Sequence, residues 1–392
     1  MKRLKKGLII AAVIVLFFPA RGICGEYEEE GEQNDISSEI DRQLEELDLS
    51  PLEPYAGEIS VITGETAASI DRLIADLAED PTGISASSIL DKLSVLFKAS
   101  LKSSAGSFVR LVSAALLTAL AGAAADGDVK NTLASVLSFG AVAAITAEFA
   151  DLSANAFDTV NKISDLSDKT APVMSILMIS SGSQASAGLF RPMLVFLSQT
   201  VFYAVSRVIM PMVLASAILS IADVFSENIR LGEIASFLSK TVKWTLGLTS
   251  VFYISVTALN GLTAAARDGV MIRTTKYAID KLIPAAGGMV SGSLDSVLGC
   301  ALLIRNGAGI AVVLILISII LRPLLTGLAG IIVFRAAAAV SGPVADRKAV
   351  KLLSAAADAA VNLFACVAVC GTLFMLTVFA MIASGGLTAG LW

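Results

Sequence analysis

The run Ser180-Ser181-Gly182-Ser183-Gln184-Ala185-Ser186-Ala187-Gly188 interrupts an otherwise apolar stretch from Ala171 to Ile209. In hydrocarbon an unpaired polar group costs roughly several kcal/mol. Such a run must pack against other helices, break inside the protein, or line a wet cavity. It is therefore the first place to expect a polar path or gate. Arg191-Pro192 follows directly. Proline lacks an N–H, frees a carbonyl, and marks a kink or a helix start. Arg322-Pro323 is the matching break further on. Asp295 lies in another Gly/Ser-rich apolar segment, and its side chain is too short to reach far toward an interface. The candidate path or gate is thus Ser180, Ser181, Gly182, Ser183, Gln184, Arg191, Pro192, Asp295, Arg322 and Pro323. Arg110 and Arg305 lie near segment ends, where a long aliphatic stem is expected to carry the charge to the interface.

Other chemistry is scarce. The chain has no histidine, which removes His-based triads, His metal sites and His proton relays. No Walker A sequence, nucleophile elbow or metal-ligand cluster is present in the sequence, so we expect no enzyme, catalytic residue, cofactor or metal. Cys366 and Cys370 share a helix face at i, i+4 and read as buried small apolar residues. Asp151, Asp158, Asp165 and Asp168 resemble a carboxylate site, but their spacing puts them on one wet face of an amphipathic helix.

The elements that hold these residues are helical. The 392 residues are 55% hydrophobic and 16% charged, less charge than a soluble domain carries. Windows of about 20 apolar residues recur, and strand alternation is missing. The expected fold is all-α: a polytopic helical membrane protein of about 7–8 transmembrane helices, with broken or re-entrant segments and a possible inverted repeat. Lys2, Arg3, Lys5 and Lys6 before Gly7–Phe18 read as a signal peptide over residues 1–25, or as an uncleaved signal anchor. Residues 26–104 read as an acidic exported helical region. Residues 26–100 hold 19 acidic and four basic side chains, net −15 against −5 for the whole chain. Its stripes, such as Ile70/Leu73/Ile74/Leu77, are expected to lie on the membrane or on a partner. The acidity argues against nucleic acid and anionic lipid as ligands. Residues 105–170 read as a first helical pair with an amphipathic segment.

Residues 171–283 and 284–392 read as two membrane units. Pro172 and Pro284 each open a Gly/Ser-rich apolar segment, and Pro211 and Pro323 each interrupt a later one. Both pairs are 112 positions apart. The basic stretches 263–281 and 335–351 are both expected on the cytoplasmic side. That requires one apolar segment between 170 and 263 not to span, with Ser180–Gly188 as the natural candidate. It would also make the two units inverted repeats, as in transporters.

The layout as a whole resembles one family. After a leader and an acidic region comes a body with Ser180-Ser181-Gly182 to Phe190-Arg191-Pro192, then Met210-Pro211 with Ala217-Ile218-Leu219-Ser220. Thr263–Gly269 with Arg273-Thr274 and Lys276, and Leu302-Leu303-Ile304 with Asn306, follow. Over residues 160–392 this resembles the stage III sporulation protein AE family of endospore-forming bacteria. The resemblance implies a non-enzymatic multi-pass component of a secretion or feeding channel complex, in the mother-cell membrane around the forespore. Its implied partners are ring-forming and other membrane proteins of that complex, a cytoplasmic ATPase and the lipid bilayer. The residues also admit two other readings, a lone secondary transporter and a purely structural membrane scaffold.

Overall fold

The structure is a computed structural model that describes residues 33–59, 69–79, 86–124, 128–182, 184–225, 230–282, 287–345 and 347–389. The leader expected over residues 1–25 lies outside the described residues. Residues 1–38 and 39–392 form separate contact units. The described elements are helical: α1 (Gln33–Glu45), a 3-10 helix (Glu53–Ile59), α2 (Ile70–Glu79), α3 (Ala86–Ser103), α4 (Ala105–Ala124), α5 (Asp128–Ser180), α6 (Gln184–Ala204), a π-helical turn (Val205–Ile209), α7 (Met210–Phe225), α8 (Leu231–Leu282), α9 (Gly287–Ser341) and α10 (Arg347–Ala389).

Several of these helices are far longer than a bilayer is thick. α9 has 55 residues, about 80 Å at 1.5 Å per residue, against about 30 Å of hydrocarbon. Among the described residues five helices are long and apolar enough to cross a membrane. The sequence windows outnumber these helices because neighbouring windows fuse. Leu282–Ile304 and Gly307–Phe334 read as two segments, but residues 287–341 form one unbroken helix. Segments 189–206 and 208–225 join through the π turn, where the Met210 N–H bonds to the Val205 carbonyl. Pro211, next in line, has no N–H to continue the ordinary ladder, which fits a widened turn at that point.

Side-chain contacts fix the directions of the helices. Along α9 and α10, Phe364 lies by Gly327, Ile320 by Gly371 and Ile382 by Gly309, so the two run antiparallel. Leu152 covers Gly330 and Met174 lies near Gly309, so α5 also runs against α9. Asn362 bonds Ser239, and Tyr253 bonds Thr377, so α8 and α10 are parallel. Ser198 meets Tyr253, and Asp223, further along the same rod, meets Gly232 at the start of α8, so α6–α7 runs against α8. The two hairpins, α6–α7 with α8 and α9 with α10, therefore start at the same end of the bundle. An inverted repeat requires opposite ends, so this arrangement corrects that expectation. The charge-based topology changes for the same reason. Residues 263–281 continue α8 toward the Ser181 end, and a single helix, α9, then runs to the turn at 341–347. The two basic stretches thus sit at opposite ends of the bundle.

The centre of the bundle is α9 with α10. Ala308, Ala311, Val312 and Ile315 on α9, and Leu353, Ala357, Cys366 and Cys370 on α10, are shut off from solvent. The far end is pinned by Asp223, which accepts from the Gly232 N–H (2.7 Å) at the start of α8 and from Lys351 Nζ (2.6 Å) near the start of α10. Part of the acidic region, within residues 53–79, docks on this same bundle. Ile70, Ile74, Leu77 and Ala78 bury the stripe of α2, which packs on α9. A Cβ on Gly307 would come within 2.6 Å of the Ile74 carbonyl oxygen, so glycine permits this approach. Glu53 Oε1 accepts from the Ile70 N–H (3.3 Å) and Ser69 Oγ from the Arg72 N–H (3.4 Å), capping α2. Burial and the neighbouring Glu53 hold the Asp71 carboxyl above its ordinary pKa.

Candidate functional site

The Ser180–Gly182 run ends α5. The Ser181 N–H bonds to the Leu177 carbonyl and the Gly182 N–H to that of Ile179, both at 3.0 Å. Gly182 has φ 76°, the left-handed turn that glycine adopts without a Cβ penalty. The chain then reverses into α6. The Ser181 hydroxyl donates to the Met178 carbonyl (3.1 Å) and accepts from Arg305 Nη1 (2.9 Å). Arg305 Nη2 donates to the Ile382 carbonyl near the end of α10 (3.1 Å). One guanidinium thus ties three elements together at the carbonyl-rich, partially negative end of α5. Arg305 is 0% exposed, which corrects the expectation that it reaches an interface. Arg110 does reach out, and pairs with Glu148 at 3.1 Å.

The other predicted residues are not gathered at this point. Ser180 is exposed, Ser181 is buried and Gly182 is half-buried. Ser183 lies outside the described residues, as do the side chains of Gln184, Arg191, Pro192 and Asp295. Arg322 is exposed and separate from Arg305. Pro323 borders a cleft of 20 Å³ with Leu152, Asn155, Gly327, Leu363 and Phe364. That is room for about one water. The segment 287–299, the expected counterpart of the Ser/Gly break, is continuous helix.

A line of polar groups that the sequence did not single out follows α8 and α10. Asn362 Nδ2 donates to Ser239 Oγ (3.0 Å). Two helical repeats further on, the Tyr253 hydroxyl sits between Ser198 (3.2 Å) and Thr377, whose own hydroxyl donates to the Leu373 carbonyl (3.0 Å). Polar pairs of this kind hold helices together where lipid gives no hydrophobic drive.

The outer surfaces of α5 and α8 differ sharply. On α5, Asp151, Asn155, Asp158, Lys162, Asp165 and Lys169 form one stripe about 27 Å long. Lys162 pairs with Asp158 (3.3 Å) and Lys169 with Asp165 (2.9 Å). Tyr55 of the 3-10 helix donates to Asp165 (2.5 Å), and Lys169 Nζ lies 5.1 Å from its ring centre. Burial, with the hydrogen bond to Asp165, raises the Tyr55 phenol well above its ordinary pKa. On α8, Phe237, Trp244, Leu248, Val251, Phe252 and Leu259 are exposed, Trp244 by 69% and Val251 by 63%. These two features lie at one level. The contacts above set α5 152–174 beside α9 309–330, that part of α9 beside α10 364–382, and α10 362–377 beside α8 239–253.

The stage III sporulation protein AE family model matches residues 68–385. The chain belongs to that family. It is 30% identical over 217 residues to the stage III sporulation protein AE of Bacillus subtilis (strain 168), covering 55% of this chain and 54% of that relative. The chain thus aligns with about half the length of the curated relative it matches. No solved structure matches it. Family and apolar helices together make it a membrane protein of a sporulation family. Sequence reading misplaced Arg305 and did not single out Tyr253. Arg305 is the one charge between Asp295 and Arg322, and that isolation within an apolar run was the available signal.

Proposed function

We propose that the chain is a non-enzymatic, multi-pass component of a sporulation-specific secretion or feeding channel complex between mother cell and forespore. The observation that carries this reading is the family match over residues 68–385, on a chain whose apolar helices form one bundle. In this reading it sits in the mother-cell membrane around the forespore, with its N-terminal region on the exported side. Ring-forming proteins, other membrane proteins and a cytoplasmic ATPase are its partners. Ser180, Ser181, Gly182, Ser183 and Gln184 are the first candidates for a gate, and the Arg305 bonds to Ser181 and Ile382 tie α5, α9 and α10 together beside Ser181. Arg191, Pro192, Asp295, Arg322 and Pro323 are further candidates for a polar path. The lone-transporter reading loses its main support, because the hairpins run in one direction.

The test is deletion of the chain in its own host, followed by return of the full chain. Deletion is expected to abolish heat-resistant spores and late forespore reporter expression, and purification of the returned chain should bring other complex components with it. Normal sporulation without the chain would overturn the proposal. Replacing Ser180, Ser181 and Ser186 by Val should block forespore development at normal protein levels.

A further inference from the structure

Two faces of this bundle cannot both touch lipid. α10 packs against α5 and against α8 and lies between them, so the α5 stripe and the α8 face point to different flanks. Trp244 on α8 is level with Asp158 on α5, and Val251 is level with Asp165, by the contacts that link α8, α10, α9 and α5. Asp158 and Asp165 have 66% and 56% of their side-chain surface exposed. The flank is polar for a second, independent reason. The acidic N-terminal region, through Tyr55, reaches the stripe at Asp165, at the level where α8 shows Val251 outward. A soluble, acid-rich segment is not compatible with hydrocarbon at that depth.

We infer that the α5 stripe faces water inside the membrane, and that the bundle is one wall segment of an aqueous passage closed by further copies of this chain. α5 points inward and α8 outward. This inference rests on the proposal that the chain is a membrane component. A single bundle with one polar and one apolar flank cannot enclose water. Copies related by rotation satisfy both flanks at once, since each repeats the same inward and outward surface. The stripe carries Asp151, Asp158 and Asp165 with Lys162 and Lys169 between and after them, so the passage it lines is hydrophilic and on balance acidic.

The experiment uses the full chain in membranes of its own sporulating cells, with Cys24, Cys300, Cys366 and Cys370 replaced by Ala. Single cysteines are placed as D151C, D158C and K162C on α5, and as W244C, V251C and L259C on α8. A small, membrane-impermeant methanethiosulfonate is the probe. The α5 sites are expected to react at least tenfold faster than the α8 sites. Equal, slow reaction at all six would overturn the wet stripe and leave the membrane reading intact. Fast reaction at all six would overturn the membrane reading itself. If the alanine background expresses poorly, the same sites are scored by mass in the chain that keeps the buried Cys366 and Cys370. Subunit counting by photobleaching of a fluorescent fusion is expected to give several copies per particle, and one copy per particle would overturn the shared passage.

Discussion

The outer faces of α5 and α8 occupy the same depth and have opposite chemistry. On α8 the large exposed side chains are Phe237, Trp244, Leu248, Val251, Phe252 and Leu259, with Lys240 and Lys243 exposed toward its starting end. On α5 they are Asp151, Asn155, Asp158, Lys162 and Asp165. Both helices pack their inner faces on the same apolar pair, α9 and α10. Burial inside the protein thus demands the same thing of both helices, and only their surroundings differ. Each lipid-facing charge at the centre of a helix costs about 2.5–3.5 kcal/mol, whereas exposed i, i+4 ion pairs return only about 0.3–0.5 kcal/mol each. A lipid-facing α5 would therefore consume the whole stability of an ordinary domain, about 5–15 kcal/mol. The charges do not fit a flank that faces lipid.

The sharpest way to break this contrast is to exchange the chemistry of the two faces. Val251→Asp puts a carboxylate where lipid is expected, at a cost of about 3 kcal/mol. Steady-state membrane protein should fall severalfold on immunoblots. Asp158→Val, at the same depth on α5, should leave that level unchanged. The next largest effect concerns the tie that sets the end of α5. Arg305→Leu removes two charged hydrogen bonds and should cost about 2–3 kcal/mol. Proteolysis of the purified protein in detergent is expected to cut after Ser181 in the variant and to leave that site intact in the wild type.

Gly307→Val tests whether the acidic region belongs on the α5 flank. A side chain there meets the Ile74 carbonyl and the Ala78 amide, both backbone atoms that cannot swing aside. The expected cost is about 2 kcal/mol, with faster hydrogen exchange in α2. If α2 exchange is unchanged, its docking is not what the structure describes. The smallest effect is electrostatic. Burial and Glu53 raise the Asp71 pKa in the docked state, so that state holds the proton more tightly than the undocked one. Docking should therefore strengthen as pH falls through the raised Asp71 value, and the charge should work against it at neutral pH. Asp71→Asn should slow α2 exchange slightly at pH 7 and have no effect once Asp71 is protonated.

The exposed, charged face of α5 was legible in the sequence, because four aspartates at helical spacing fall on one side of a helix. The exposed stripe of α8 was legible only as a span. An apolar helix gives no periodicity to separate the lipid side from the packed side. The same blindness misplaced Arg305, which shares a face with the buried Ala301, Ala308 and Val312 in a run apolar all round. Charge asymmetry misplaced the basic stretches 263–281 and 335–351, because it assumed that Leu282–Ile304 and the segment after it cross separately. They form one helix, and nothing in their composition marks that continuity. The α2 stripe was visible, but its partner was not. The approach at Gly307 depends on a missing side chain on a helix more than 200 positions away in sequence.

The central claim is that lipid touches α8 and not α5 at one depth, and the chain's own tryptophan can report it. Trp244 is 69% exposed on α8, and Trp392 is removed as W392F. In bilayers of brominated lipid, Trp244 fluorescence is predicted to be strongly quenched. The matched variant, D158W with W244F and W392F, is predicted to stay as bright as in unbrominated lipid. Equal quenching of the two indoles would contradict the account.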